Sequence, residues 1–182
     1  MTDPGEMVLT ARLVRWGFSW AGLRDNRRGE WWLLAQILLI LAHLAPPLPS
    51  PPAFGIAWPL PLQVIGWSLF LLGLLLAAQA LLALGGSLTP LPDPMPGAPL
   101  ITNGVYRRCR HPLYQAVLLC SFGVVLALGS LLHLALLLAL AVVLACKARR
   151  EESRLRLLHP DYAAYAASTP AIIPAWPGLD WC

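Results

Sequence analysis

The chain has 182 residues, of which 58% are hydrophobic and only 12% charged, with a formal net charge of +4. That is about half the charge of an ordinary soluble domain, and the length holds one domain, which excludes a soluble multidomain enzyme. The basic residues flank apolar runs instead of gathering into a patch, so they are a topology signal and not the footprint of a nucleic-acid partner.

Residues 7–23 place Leu9, Leu13, Trp16 and Trp20 at helical spacing with Arg12 and Arg15 off that line. This predicts an amphipathic helix lying in the membrane interface. A polar turn at 25–30 follows, and then Trp31 and Trp32 open the first apolar run, which reaches about Ala45. The thirty-residue polar lead is long for a signal peptide, so the run is expected to be a retained helix. Residues 46–61 hold seven prolines and no charge, which predicts a stiff extended loop. The second run, 62–84, is long enough to span and is stopped by Gly85 and Gly86. An irregular, proline-rich connector occupies 87–99. The last run, 113–146, exceeds one crossing, and Gly129 and Ser130 near its middle split it into a helical hairpin.

No Asp, Glu, Lys or Arg lies between Trp31 and Pro92, or between Arg110 and Lys147. With four crossings, all thirteen Lys and Arg residues fall on one side. The positive-inside rule then puts both termini and the polar clusters in the cytoplasm, in what is expected to be a bacterial inner membrane. The fold class expected is all-α: a polytopic membrane protein with about four transmembrane helices, the last two forming the hairpin. Three segments follow from this: an interfacial segment at 1–30, two membrane helices at 31–84, and a core with the hairpin at 85–182. Gly66 and Gly73, seven apart, mark a candidate close-packing surface, and the oligomeric state is left open.

Two polar clusters bracket the hairpin. One packs Tyr106, Arg107, Arg108, Arg110, His111 and Tyr114 into nine positions, and the other runs from Lys147 to Arg156 with Glu151 and Glu152 side by side. The hairpin brings the two ends to within roughly 10 Å, the spacing of packed helices. Lys147 and Glu151, four apart, share a face. Against this stands headgroup anchoring by basic residues, the ordinary role of charges at helix ends. His43 and His133 sit within apolar runs and are expected to make helix-packing hydrogen bonds. The cysteines, Cys109, Cys120, Cys146 and Cys182, lack C-x-x-C spacing, so neither a metal site nor a disulfide framework is read from them. Three arginines around Cys109 are a possible cause of a lowered thiol pKa, although a plain reduced thiol is the commoner case.

The segment L-I-T-N-G-V-Y-R-R-C-R-H-P-L-Y resembles the membrane methyltransferase family of isoprenylcysteine carboxyl methyltransferases and phospholipid methyltransferases. The family's G-x-Y-x-x-x-R-H-P-x-Y pattern is matched at Gly104, Tyr106, Arg110, His111, Pro112 and Tyr114. Its second pattern, E-E-x-x-L followed by Y-x-x-Y and a closing P-x-x-I-P-like segment, is matched at Glu151, Glu152, Leu155, Tyr162, Tyr165, Pro170, Ile173 and Pro174.

The resemblance implies an S-adenosylmethionine pocket at the cytosolic face. It makes Pro99, Leu100, Ile101, Tyr106, His111, Pro112 and Tyr114 the wall around the cofactor, and Glu151, with Glu152 beside it, the carboxylate for the cofactor's ammonium. Lys147 aligns with a family arginine that engages the acceptor's carboxylate, a role for which Arg110 or Arg150 is the substitute. Lysine keeps the charge but lacks the bidentate fork. His159 and Pro160 replace a usual Phe-Gly, and Gln115 stands where a glycine is common. The implied acceptor is a lipophilic small molecule or a lipid reaching the site from between helices. The alternatives are an NADPH-dependent membrane reductase of the sterol-reductase type, which shares an R-H-P-x-Y region, and a non-catalytic membrane scaffold.

Overall fold

The structure, a computed structural model, describes residues 20–94 and 97–181. Most of the expected interfacial helix at 7–23 and Cys182 lie outside the described residues. All regular secondary structure among the described residues is helical, the one bridge being the isolated pair Pro177 and Asp180. Its helices are α1 (Trp20–Asp25), α2 (Glu30–Ala42), α3 (Leu60–Leu84), α4 (Pro112–Leu128), α5 (Leu131–Leu158) and α6 (Tyr162–Ser168).

The split at Gly129 and Ser130 is present. Gly129 ends α4 with φ 60°, and the indole of Trp58 occupies the space a Cβ there would need. Trp58 also donates its Nε1–H to Leu126 O at 2.8 Å, which fastens the proline-rich loop over the turn. That loop departs from a purely extended form, since Pro51–Phe54 makes a 3-10 turn. Its other anchor is Ser130, whose Oγ accepts the Leu48 N–H at 3.0 Å. The fourth apolar stretch does not stop at Cys146: α5 continues through the polar cluster to Leu158 without a break.

At 1.5 Å per residue the 25 residues of α3 and the 28 of α5 extend about 38 and 42 Å, enough to cross a hydrocarbon core of about 30 Å. The 13 residues of α2 and the 17 of α4 extend about 20 and 26 Å. Only 11% of the most apolar window of α3 is buried, so this helix is no core helix of a water-soluble protein. Leu71, Leu75 and Leu82 stand exposed along it, as lipid-facing side chains do.

Glycines decide how α3 meets α4. A Cβ on Gly66 would lie 2.6 Å from Gly123 O, and one on Gly73 would lie 3.0 Å from Ala116 O. The two backbones therefore touch along the surface marked by Gly66, Gly73 and Ala80, all buried. The main core forms where α4 meets α5, from Tyr114, Leu118, Leu140, Leu144 and Ala148, and Ile172 and Leu179 of the C-terminal segment close it from one end.

Candidate functional site

The site lies at the shared end of α3, α4 and α5. His111 caps α4 and Pro112 opens it, its fixed φ and missing N–H suited to the first helical turn. The 3-10 turn Gly104–Arg107 presents Tyr106 inward. The chain then pairs with the C-terminal segment: Arg110 N–H donates to Pro170 O at 2.9 Å and His111 N–H to Ala171 O at 3.0 Å. Tyr165 OH fixes the turn from the other side by donating to Tyr106 O at 2.5 Å.

The expected convergence of the two polar clusters is present, with a division of labour between the glutamates. Glu152 is buried and fully engaged. It accepts from His111 Nε2 at 2.9 Å and from Trp181 Nε1 at 2.9 Å, and Arg110 Nε lies 3.0 Å from its Oε1. The last contact is an ion pair and not a hydrogen bond, because the Nε–H points off the oxygen. Arg110 uses its other nitrogens on the backbone, donating to Ala166 O at 2.6 Å and to Trp181 O. Arg110 and Glu152 thus serve as an internal tie between α4, α5, α6 and the C-terminal segment.

Glu151 faces the other way. Its side chain is 28% exposed, accepts from Tyr114 OH at 2.8 Å, and has His111 Nδ1 at 3.8 Å. His111 stacks on Tyr114 with ring planes 3° apart and centroids separated by 5.2 Å. Two cavities open on Glu151. The first is walled by Pro99, Leu100, Ile101, Tyr106, Leu155, Tyr162 and Tyr165. The second is walled by Leu33, Leu81, Leu84, Leu88, Tyr114 and Lys147. Tyr106, Arg110 and Glu151 belong to both, so the two spaces share a wall.

Burial pushes the Tyr106, Tyr162 and Tyr165 hydroxyls above the ordinary tyrosine value, with Glu151 adding to the effect at Tyr106 and Glu152 at Tyr162. They are neutral donors at any physiological pH, not bases. The Tyr162 hydroxyl is buried close to Glu152 without a well-aligned hydrogen bond, and Tyr162 lines the first cavity.

Pro99, Leu100, Ile101, Tyr106, Tyr114, His111 and Glu151 therefore surround the two cavities, whereas Pro112 is buried at the start of α4 and lines neither. Lys147 is buried and opens on the second cavity, where its Nζ donates to Gln36 Oε1 at 2.7 Å and to Pro90 O at 3.0 Å. Arg150, the proposed substitute, instead ion-pairs with Asp93 at 3.5 Å and donates to Arg27 O. Of the two readings of Cys109 the plain thiol holds: it is buried, donates to Ala171 O at 3.1 Å, and is pushed up to about 11 by burial, which outweighs the backbone N–H of His111 and the charge of Arg110.

Comparison with known proteins decides the family. The profile of the phospholipid methyltransferase family matches residues 62–161, more than half of the chain. The chain belongs to the phospholipid methyltransferase family. A cobalt-zinc-cadmium resistance protein of Cupriavidus metallidurans is 41% identical over 80 residues, covering 41% of this chain and 35% of the relative. A nickel-cobalt-cadmium resistance protein of Alcaligenes xylosoxydans xylosoxydans is 40% identical over 80 residues, covering 41% and 36%. The match thus spans about a third of the length of these curated relatives. No solved structure matches the chain.

Two site residues escaped the sequence reading. Trp181 reaches Glu152 from 29 positions away, and no local pattern marks it. Gln36 carries a signal, because it and His43 are the only polar side chains between Trp31 and Ala45.

Proposed function

We propose that this member of the phospholipid methyltransferase family is an integral membrane enzyme that transfers a methyl group from S-adenosylmethionine to a lipophilic acceptor. The observation that carries the reading is the position of Glu151: of the two adjacent carboxylates, it alone opens on the cavity walled by Pro99, Leu100, Ile101 and the tyrosines, while Glu152 is consumed by the protein.

The residues present fit the cofactor. Its cationic end is matched by a partly exposed carboxylate, and its ribose and base by apolar and aromatic walls. When bound, S-adenosylmethionine supplies a methyl carbon on a sulfonium, open to in-line displacement. Glu151 would hold the ammonium, with its orientation fixed by Tyr114 OH and by His111. His111 is itself held by Glu152, which is held by Arg110 and Trp181. The apolar residues around the second cavity keep water from the reacting atoms and admit an acceptor from the lipid side.

Four crossings with the site on the cytoplasmic side of a bacterial inner membrane belong to the same proposal. Two described helices have spanning length, and the shorter α2 and α4 pack beside them. The one-sided distribution of Lys and Arg supports the orientation. Resistance to cobalt, zinc, nickel and cadmium is what the relatives are named for; as a proposal for this chain, it would be served by methylation of a membrane component.

The deciding experiment is calorimetric titration of the detergent-purified protein with S-adenosylhomocysteine, with NADPH in parallel. Micromolar binding of the homocysteine compound alone is expected. Binding of NADPH alone would transfer the chain to the reductase reading, and binding of neither would favour a scaffold.

A further inference from the structure

A further hollow shares no residue with the two cavities on Glu151: Arg149, Glu152, Ser153, Arg156 and Trp181 line it. Arg149, Ser153 and Arg156 stand at i, i+4 and i+7 of α5, one stripe of the helix. At 100° per residue they point roughly 140–160° away from Glu151, so the hollow lies on the opposite side of α5 from both cavities.

Its charge is unbalanced. Arg149 makes no ion pair among the described residues, and its guanidinium carbon lies 5.0 Å from the centre of the Trp181 ring. Arg156 Nη2 comes no nearer than 3.9 Å to Glu152 Oε2. That carboxylate already faces Arg110 at 3.0 Å inside the protein, so one negative charge stands against three guanidiniums. A guanidinium over an aromatic face keeps N–H donors at its edge, and such a fork matches phosphate oxygens. Ser153, set between the two exposed arginines, donates to Arg149 O at 2.8 Å and leaves only a small side chain there.

The rest of the stripe says what carries the anion. Leu131, Leu138 and Val142 point the same way as Arg149 and are exposed, so an apolar track leads along α5 to the hollow. Counted from Leu131 at 1.5 Å per residue, Arg149, Ser153 and Arg156 stand about 27, 33 and 38 Å along the helix, against a hydrocarbon core about 30 Å thick. The track therefore lies at the depth of acyl chains and the arginines at the depth of headgroups. Trp176, exposed on the same C-terminal segment as Trp181, is a residue type that settles at that level.

We propose that this hollow is a binding site for an anionic phospholipid of the surrounding leaflet, its phosphate held between Arg149 and Arg156 and a chain laid along Val142, Leu138 and Leu131. The site is separate from that of methyl transfer and does not depend on the reaction. A free phosphate shares the head's chemistry but makes no use of the apolar track.

The test uses the full chain in dodecyl maltoside, with phosphatidylglycerol or phosphatidylcholine of the same chains titrated in and bound lipid counted by native mass spectrometry. Phosphatidylglycerol should bind at least about tenfold more tightly than phosphatidylcholine. Arg149→Gln with Arg156→Gln should abolish that preference, and Arg149→Lys with Arg156→Lys should keep part of it. Arg107→Gln with Arg108→Gln removes the same charge from two other exposed positions and should leave the preference whole. In nanodiscs of the unsubstituted chain, phosphatidylglycerol should slow amide exchange at residues 149–156 and 176–181 relative to phosphatidylcholine alone. Equal losses in the two glutamine pairs would mean attraction by net charge and overturn the site, as would no preference for phosphatidylglycerol or protection confined to other segments. Calorimetric binding of inorganic phosphate that vanishes with Arg149 and Arg156, without any lipid preference, would assign the hollow to a soluble anion and overturn the lipid.

Discussion

His111 and Glu152 are joined by a 2.9 Å hydrogen bond across 41 positions of chain, and that bond sorts the two adjacent glutamates into different tasks. Neighbours on an α-helix point about 100° apart, so only one of the pair can face the cavity. With Glu152 directed at His111, Arg110 and Trp181, Glu151 is the one left free.

Substitution should separate the two. Glu151→Ala is expected to abolish S-adenosylhomocysteine binding with helix content and thermal midpoint unchanged. Glu152→Ala leaves Arg110, 1% exposed at its side chain, without its counter-charge, and breaking a buried pair from one side costs about 3–5 kcal/mol. It should therefore lower the thermal midpoint in detergent, and Glu152→Gln should lower it less. Normal cofactor binding by Glu151→Ala would place the pocket elsewhere.

Cys109 should be inert despite its arginine neighbours. A thiol pushed up to about 11 holds roughly one part in ten thousand as thiolate at pH 7, and this one is also shielded by residues 171 and 172. In a chain with Cys120, Cys146 and Cys182 replaced by serine, maleimide should label Cys109 only after denaturation. Rapid labelling of the native protein would show that the C-terminal segment does not seal this edge.

What the sequence showed, and what it hid, follows from the range of the interactions. The turn at Gly129 was legible because charge spacing and the length of the apolar run both required a reversal there. The meeting of His111 with the paired glutamates followed from that reversal. The extension of α5 to Leu158 was harder to place, because composition changes at Lys147 while the backbone does not. The tie from Gln36 to Lys147 spans 111 positions, and the one from Trp181 to Glu152 depends on a chain reversal at 170–180 that no periodicity announces. For Cys109 the plain thiol was the favoured reading, but its cause was out of sight, since neighbouring charges are visible in sequence and burial is not.

The α3–α4 contact is the most demanding packing in the bundle. A Cβ on Gly66 would meet the carbonyl of Gly123 at 2.6 Å, and backbone there cannot move aside as the end of a side chain can. Gly66→Ala should thus cost about 1–3 kcal/mol, seen as a lower thermal midpoint. Gly86→Ala is the control, for a Cβ at that position meets nothing within 4 Å. Equal midpoints for the two variants would mean that α3 and α4 are not in backbone contact in the membrane.

The C-terminal segment is held in its turn by Asp180, whose carboxylate accepts from Ala171 N–H at 2.9 Å and from Ala175 N–H at 2.7 Å. These two amides hold the carboxyl below the usual carboxylate range. A group whose pKa is lower folded than unfolded stabilises fully above its unfolded value of about 3.9, and loses that contribution as pH falls through the folded value. At neutral pH the clasp is therefore intact, and Asp180→Ala should open it. Amide hydrogen exchange at residues 171 and 175 should speed up first. Because Trp181 follows directly and donates to Glu152, S-adenosylhomocysteine affinity should fall as well, with α3 and α4 as protected as before. Faster exchange at 171 and 175 with unchanged cofactor affinity would show that Arg110 and His111 suffice to hold Glu152, and that the indole of Trp181 adds nothing to the site.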